Sequence, residues 1–418
     1  MRINVKHKIF LTSFILICVF KSNAENADLI VARDGSGDFN SIQEAINSVP
    51  AQNTELIIIL IKNGTYEEEI RIDKNNIALV GEDRDCTRIE FYKPYDWDSV
   101  YTKVGRAVVN IYADDVILAN LTVENTQPDV NIHAFAVYGK NNTRTIIINC
   151  NILSNGGDTL SLWNGETGMY YLDKLHLRGA VDLLCPRGWC YAENINFYCT
   201  RETQPLWHDG SKNRDQKFVV KNSTFDGITN FRLGRNHLDG AFYLINLQFS
   251  VRLIDQPFFL PKSAPGQYKW GKRYYFYNCH RQGSDYEWFS DNLNTAEGSP
   301  PSQQITAKWT FSTSEDPWDP EANMPSVLPM AFLPIPADKD SNVVLNPELS
   351  WIAGRNAGTH KIYFGKDPSP PYFKDTRKSY FKPGMLQSGT IYYWRIDEAN
   401  ENGLIQGNLW QFRVKEEI

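Results

Sequence analysis

The stretch TIIINCNILSN, residues 145–155, indicates the fold because its pattern occurs seven times along the chain. Each copy has a run of apolar or aromatic residues, then usually an asparagine, then alternating residues. The aligned positions are Asn120, Asn149, Lys174, Asn194, Asn222, Asn246 and Asn278. The successive gaps are 29, 25, 20, 28, 24 and 32 residues. Self-similarity at such a period is typical of a solenoid.

The composition of the repeats favours a parallel β-helix among the solenoids. Alternating β-branched segments predict strands, and loops between them absorb the variable spacing. A leucine-rich horseshoe needs a Leu-x-x-Leu-x-Leu pattern that the repeats lack, and a β-propeller needs longer repeats of four strands each. Asparagines stacked at a corner tolerate left-handed backbone and hydrogen-bond along the stack. We therefore predict an all-β chain dominated by stacked coils.

The two ends of the solenoid carry different signals. SIQEAINSVP, residues 41–50, has helical apolar spacing, and Ser41 with Glu44 resembles a capping box, so we predict a helix that covers the first coil. Proline density predicts a linker over residues 324–346. Short alternating strands over residues 347–418 predict a small β-sandwich of fibronectin type III kind. Attachment or carbohydrate contact is its expected role, and a simple spacer is the alternative.

Bulk properties limit the classes of partner and compartment. The chain has 418 residues and a formal net charge of -6, which argues against nucleic acid but leaves an anionic polysaccharide open. Residues 1–24 have the basic start, the apolar run and the small-residue end of a signal peptide. We expect a secreted or periplasmic monomer without a membrane span, and an uncleaved anchor is the alternative. The six cysteines after residue 24 form disulfides or stay buried thiols, and their spacing does not predict a metal site.

Two carboxylates stand in apolar, glycine-containing settings. Asp158 lies in NGGDTLSLWNG, and Asp182 lies in GAVDLLCPRG. Asp158 follows Asn149 by 9 residues and Asp182 follows Lys174 by 8, so both occupy nearly the same phase of consecutive coils. Neighbouring coils stack about 4.8 Å apart, which puts the carboxylates within roughly 5 to 7 Å if both point outward. Two like charges this close should raise the pKa of one of them.

A cation should keep one of these acids ionised. Arg235, in LGRNH, lies 53 residues after Asp182, which is about two coils further on. Bidentate contact between its guanidinium and Asp182 is therefore feasible. A structural pair that braces the stack is the alternative role for the same two residues.

At these residues the sequence resembles the pectin methylesterase family. The resemblance covers about residues 28–321 and none of the C-terminal module. It is carried by LIVARDGSGDFNSIQEAINSVP, GTYEEEI, GDTL at Asp158, VDLL at Asp182, LGRNH at Arg235, and ITAKWTF with WDPE. The family implies a right-handed parallel β-helix in a domain over residues 25–323, no metal or other cofactor, and hydrolysis of galacturonate methyl esters in pectin. It also implies that Asp182 is the nucleophile, that Asp158 is the acid and then the base, and that Arg235 holds Asp182 ionised.

The sequence departs from the family at the two glutamines that stabilise the oxyanion. Gly157 stands directly before Asp158 where one is expected, and His133, in HAFAV, stands at the position of the other. Loss of one such donor costs about 10²–10³ in rate. His133 is a candidate replacement donor through a ring N–H, and a histidine packed on the coil surface is the alternative.

Several further residues are candidates for substrate contact near these acids. They are Thr159, Trp163, Trp207, His208 and His237. Aromatic rings stack on sugar rings, but each of these side chains has ordinary packing as its alternative role. The leading hypothesis is a secreted esterase acting on a methylated uronic-acid polysaccharide. A β-helix glycoside hydrolase or lyase and a non-catalytic polysaccharide-binding relative are the alternatives.

Overall fold

The computed structural model describes residues 27–95, 104–208, 212–237, 239–259, 269–401 and 403–416. The predicted signal peptide over residues 1–24 lies outside these residues. Within them, no helix combines the length and the apolar character needed to cross a bilayer.

Three long parallel sheets form the body of the molecule. The first sheet has ten strands: Leu29–Val31, Ile57–Ile61, Ile77–Gly81, Val116–Ala119, Thr145–Ile148, Met169–Asp173, Trp189–Glu193, Phe218–Lys221, Ala241–Ile245 and Arg273–Tyr277. The second sheet has nine: Gly64–Glu67, Thr87–Phe91, Thr122–Asn125, Asn151–Leu153, His176–Gly179, Asn196–Cys199, Thr224–Gly227, Gln248–Phe249 and His280–Arg281. The third sheet has seven: Ile70–Ile72, Val109–Ile111, Val137–Lys140, Leu160–Trp163, Leu184–Arg187, Leu206–His208 and Gly234–Asn236.

These sheets are the three faces of a parallel β-helix, as the repeat predicts. The central coils contribute one strand to each sheet, the coils at the two ends contribute fewer, and neighbouring strands of a sheet come from consecutive coils. In all three faces the inward side chains are apolar and fully buried, as Ile147, Ile152 and Leu160 illustrate within one coil. Burial of one continuous apolar column along the axis is the main stabilising contribution of such a stack.

The predicted asparagine corner lies between the first and second sheets. All seven aligned residues have left-handed backbone, with φ between 50° and 58°. Their side-chain amides donate along the stack: Asn149 to Asn120 at 2.7 Å, and Asn246 to Asn222 at 2.8 Å. Lys174 interrupts the series, and there Asn194 donates instead to the Asp173 carboxylate at 2.8 Å. The prediction of a hydrogen-bonded corner is confirmed.

A short helix, Ile42–Ser48, lies at the first coil and buries its apolar side there. The Ser41 hydroxyl accepts from the Glu44 amide, as a capping box requires. The carboxylate that accepts from the first helical amides belongs to Glu68, which receives the N–H of Ile42 at 3.0 Å. The predicted cap is therefore present, and the glutamate of the next coil reinforces it.

After the last coil the chain packs back along the outer face of the first sheet. This segment contains two short 3₁₀ helices, Leu293–Thr295 and Ser302–Gln304, and the helix Ala307–Phe311. Phe311 joins Trp189 and Tyr191 of the first sheet in a second buried apolar cluster. This face of the coil is therefore covered by the chain itself.

The C-terminal residues form two further sheets around a core that includes Trp351, Trp394 and Trp410. The smaller sheet is antiparallel and contains Phe332–Ile335, Leu349–Ile352 and Tyr380–Phe381. The larger sheet contains Asp340–Val343, Leu409–Val414, Ile391–Asn400, Thr359–Gly365, Tyr372–Thr376 and Gly403–Ile405, with one parallel pair at the Asp340–Val343 edge. Two of these strands lie within residues 324–346, so this segment is part of the sandwich rather than the predicted linker. Phe332 and Val343 are buried there. The local proline content is compatible with these two strands because both lie at the edges of their sheets, where proline is tolerated.

The cysteines of the described residues are all free thiols. Cys86 is exposed, and the buried ones are Cys150, Cys185, Cys190, Cys199 and Cys279. Of the two possibilities left open by the sequence, buried thiols are the one observed for these five.

Candidate active site

The two predicted acids occupy equivalent positions on consecutive coils of the third sheet. Leu160 pairs with Leu184, and each acid lies two residues before its member of that pair. Gly157 and Val181, which directly precede the acids, also pair in parallel. The acids are therefore separated by one coil, a spacing of about 4.8 Å between backbones. The predicted stacking of the two residues on consecutive coils is confirmed.

Burial sets the acids apart from ordinary surface carboxylates. Both lie in the left-handed region, with φ of 64° for Asp158 and 53° for Asp182. Asp158 is 1% exposed and Asp182 is 0% exposed. Left-handed backbone is shared with the corner residues of the coil, so burial is the distinguishing feature. Burying a carboxylate requires partners that compensate the lost hydration.

Arg235 provides this compensation for Asp182, in the geometry that the sequence predicts. Its strand, Gly234–Asn236, lies two coils beyond Asp182 on the same sheet. The Nη2 atom lies 2.5 Å from Oδ2 of Asp182, and Nε lies 3.2 Å from Oδ1. This two-point contact fixes both the charge and the orientation of the carboxylate.

Gln204 is a partner of Asp182 that the sequence analysis missed. It lies on the intervening coil, is 5% exposed, and donates from Nε2 to Oδ1 of Asp182 at 2.9 Å. Its own carbonyl accepts from the Asp182 amide at 2.7 Å. The sequence did contain an indication of this contact. Gln204 follows Asp182 by 22 residues, which is close to the length of one coil, so the two residues occupy nearly the same position on consecutive coils.

The pKa of Asp182 reflects a balance between these contacts and its burial. Loss of hydration raises the pKa to about 6, while the Arg235 and Gln204 hydrogen bonds lower it and the charge of Asp158 raises it further. Above this pH the carboxylate is ionised, and an ionised carboxylate held by fixed donors can act as a nucleophile.

Asp158 has a different partner. Nδ1 of His133, on the preceding coil, lies 2.5 Å from Oδ2 of Asp158. The other oxygen, Oδ1, is buried without a hydrogen-bond partner among the described residues. The hydrogen bond to Asp158 raises the pKa of the His133 imidazole above its usual value, in spite of partial burial. The two acids thus have different basic partners, a guanidinium for Asp182 and a titratable imidazole for Asp158.

Aromatic rings and guanidinium groups line the outer face of the third sheet beside the acids. Trp163 is half-buried, and the guanidinium carbon of Arg187 lies 4.2 Å from its ring centroid. Trp207 is 7% exposed, with the guanidinium carbon of Arg235 4.9 Å from its ring and the His237 ring at 5.0 Å. The predicted residues Trp163, Trp207 and His237 therefore lie on the same face as the acids.

The structure corrects two of the predicted substrate contacts. His208 is 1% exposed and packs inside the coil against Phe218 and Phe242, because alternate residues of its strand point to opposite sides. Thr159 is fully buried, and its hydroxyl donates to the Arg178 carbonyl at 3.4 Å. Both side chains support the coil and are withdrawn from the outer face.

Part of the chain is similar in sequence to known proteins of one family. Residues 28–224 match the pectinesterase family. The matched segment contains both acids and His133, and it ends before Arg235. Probable pectinesterase 56 of Arabidopsis thaliana is 31% identical over 189 residues, which are 43% of this chain and 59% of that protein. A pectinesterase of Petunia integrifolia is 31% identical over 186 residues, which are 44% of this chain and 47% of that protein.

The chain thus spans about half of the length of these pectinesterases. Among solved structures, the pectin methyl esterase of rice weevil is similar with a TM-score of 0.52 and 20% identity, over 63% of this chain and 91% of that one. The pectin methylesterase from carrot is similar with a TM-score of 0.50 and 18% identity, over 58% of this chain and 80% of that one. These likenesses support the β-helix fold of the pectinesterase-like region.

Proposed function

We propose that the chain is an esterase that hydrolyses methyl esters of galacturonate in pectin or a related uronic-acid polysaccharide, releasing methanol. One observation carries the proposal: two buried carboxylates lie on consecutive coils, and one of them is held by a bidentate guanidinium. The pectinesterase match of the segment that contains both acids supports the choice of reaction.

In the proposed reaction Asp182 is the nucleophile. One of its oxygens attacks the ester carbonyl carbon, the carbonyl–methoxy bond breaks, and a mixed anhydride joins the enzyme to the substrate. The methoxy oxygen takes a proton and leaves as methanol. Water then attacks the anhydride and gives up a proton, which frees the uronic acid and the Asp182 carboxylate. Asp158 and His133, which are in contact on consecutive coils, together provide the acid–base function at both steps.

Arg235 and Gln204 prepare Asp182 for this step. They donate to the carboxylate from fixed positions on later coils, so the nucleophile needs no reorganisation before it attacks. Since the donor that stabilises the oxyanion in the resembled family is absent at Gly157, we propose that the positive charge beside the acids, including Arg235, takes over this electrostatic role.

The substrate is proposed to lie on the outer face of the third sheet. Trp163 offers a ring for sugar stacking, and Arg187 and Arg235 beside it provide positive charge for uronate groups. A chain with an overall charge of -6 can bind an anionic polymer at such a local concentration of guanidinium groups.

The remaining parts of the chain are assigned by the same proposal. Residues 1–24 serve as the signal peptide of a secreted or periplasmic monomer, and residues 25–323 form the catalytic domain. The C-terminal sandwich is of fibronectin type III kind and serves in attachment or carbohydrate contact. Its two sheets around a tryptophan-rich core support the sandwich architecture.

A product panel tests the function. Methylated pectin and a more branched methylated uronic-acid polysaccharide are incubated with the full chain, and methanol, new reducing ends and ultraviolet-absorbing products are measured. The esterase proposal requires methanol and acid in equal amounts with no shortening of the polymer. New reducing ends would instead identify a glycosidase, which the close carboxylate spacing also suits. An unsaturated product would identify a lyase, and binding without product would identify a non-catalytic relative.

A further inference from the structure

We propose that His133 carries the proton of the acid–base step and that Asp158 acts by holding the His133 imidazole. This inference rests on the proposed esterase function and assigns the atom that exchanges the proton. It differs from the resemblance, in which the carboxyl group at Asp158 exchanges the proton itself.

The contact between the two residues is short and built into the coil. His133 and Gly157 form a parallel bridge, so the histidine lies directly over the residue that precedes Asp158. The Nδ1 atom of His133 lies 2.5 Å from Oδ2 of Asp158. The Tyr95 amide donates to the His133 carbonyl at 2.9 Å, and the imidazole stacks on Phe135 at 6.3 Å. Both the backbone and the ring of His133 are therefore fixed in place.

The buried charges of the site favour one further positive group. Asp158 and Asp182 are buried carboxylates, and Arg235 pairs with Asp182. These three charged groups act most strongly on His133, while the guanidinium groups of Arg106 and Arg187 lie against the Trp163 ring at 5.3 and 4.2 Å. The nearby Cys185 thiol is neutral because burial holds its pKa well above the usual value. With a neutral imidazole this buried group has a net charge of minus one, whereas a protonated imidazole brings it to zero. Burying an uncompensated charge is costly, so the extra proton is favoured, and the imidazole holds it.

A carboxylate that is paired with an imidazolium is ionised and cannot donate a proton to a leaving group. The imidazolium can donate, and its side chain is 33% exposed, in contrast to the fully buried acids. In the first step His133 gives the proton from Nε2 to the methoxy oxygen as the carbonyl–methoxy bond breaks, and methanol leaves. In the second step neutral His133 takes a proton from the water that attacks the anhydride. Nδ1–H remains bonded to Asp158 during both steps.

The first test measures the proton on His133 without any substrate. The full chain is labelled with ¹⁵N-histidine, and His133→Gln identifies its resonances among the 7 histidines. We expect the wild-type His133 pKa to lie above the ordinary value of about 6.5, and to be lower in Asp158→Asn, which removes the carboxylate charge. A wild-type pKa at or below 6.5 would overturn the proposal, whether or not the Asp158→Asn variant folds.

The second test measures methanol release as a function of pH for His133→Gln, which introduces the residue of the resembled family. We expect kcat to fall about 10²-fold at the wild-type optimum with KM within twofold, and the high-pH limb to move to lower pH. His280→Gln is the control. This exposed histidine also contacts a carboxylate, that of Asp285, but it lies far from His133 along the chain. A His133→Gln variant with unchanged rate and pH limbs would show that His133 does not carry the proton. If wild-type protein releases no methanol, the esterase proposal fails, and the resonance titration still decides the protonation of His133.

Discussion

Replacing Gln204 by methionine tests how the nucleophile is kept ionised. Methionine has a similar volume but removes the amide that donates to Oδ1 of Asp182 at 2.9 Å. A hydrogen bond to a charged group contributes about 1.5 to 3 kcal/mol, which corresponds to about 1 to 2 pKa units. Since the pKa of Asp182 is about 6 in the native site, we expect it to lie at about 7 to 8 in the variant.

This shift gives a graded loss of activity with pH. For a variant pKa of about 7.5, the ionised fraction of Asp182 at pH 7 falls from about nine-tenths to about one quarter. The rate of methanol release relative to wild type should therefore drop about fourfold at pH 7 and about fifteenfold at pH 6, and be restored near pH 9. The assay is kcat/KM between pH 5 and 9, with circular dichroism to verify the fold. The role given to Gln204 would be refuted if kcat/KM fell by the same factor at every pH, or if the low-pH side of the pH profile did not move.

Two other substitutions probe the substrate face and the stability of the coil. Trp163→Ala removes the ring that contacts Arg187 and should raise KM for methylated pectin about tenfold with kcat nearly unchanged; an unchanged KM would show that Trp163 only packs. Glu321→Gln should stabilise the chain by about 1 to 3 kcal/mol at pH 8 in urea unfolding, because burial and the charge of Glu193 raise the Glu321 pKa to about 7. Because the Glu321 pKa is raised in the folded chain, its protonated form contributes to the free energy of unfolding. This contribution is complete below the pKa of the unfolded chain and is lost as pH rises through about 7. The stability gained by Glu321→Gln should therefore vanish near pH 4. A gain that is equal at both pH values would contradict this cause.

The features that follow from the coil period were predictable from the sequence. The repeat fixes which residues stack, so the asparagine corner, the pairing of Asp158 with Asp182 and the reach of Arg235 all follow from counting residues. The pairing of Leu160 with Leu184 bears out this counting. A wrong period would have displaced all of these contacts together.

The features that depend on direction within a coil were not predictable. His208 and Trp207 are neighbours in one strand, and only the structure shows that the histidine is the member that points inward. Bends at the corners of the coil interrupt the alternation of side chains between inside and outside. The burial of Thr159 could therefore not be predicted from its position next to Asp158 in the sequence. The Gln204 and His133 contacts depend on side-chain conformation, which the spacing of residues leaves open. Proline content misled the linker prediction because strands at the edges of small sheets tolerate proline.

The most direct measurement compares Asp182→Asn with the wild-type chain on methylated pectin, following methanol release and polymer binding in the same samples. Asparagine keeps the size of the side chain and removes the charged nucleophile, so we expect binding to persist and methanol release to fall by at least about 10³-fold. A variant that still releases methanol at the wild-type rate would contradict the assignment of Asp182, and with it the proposal that the paired acids carry out the reaction.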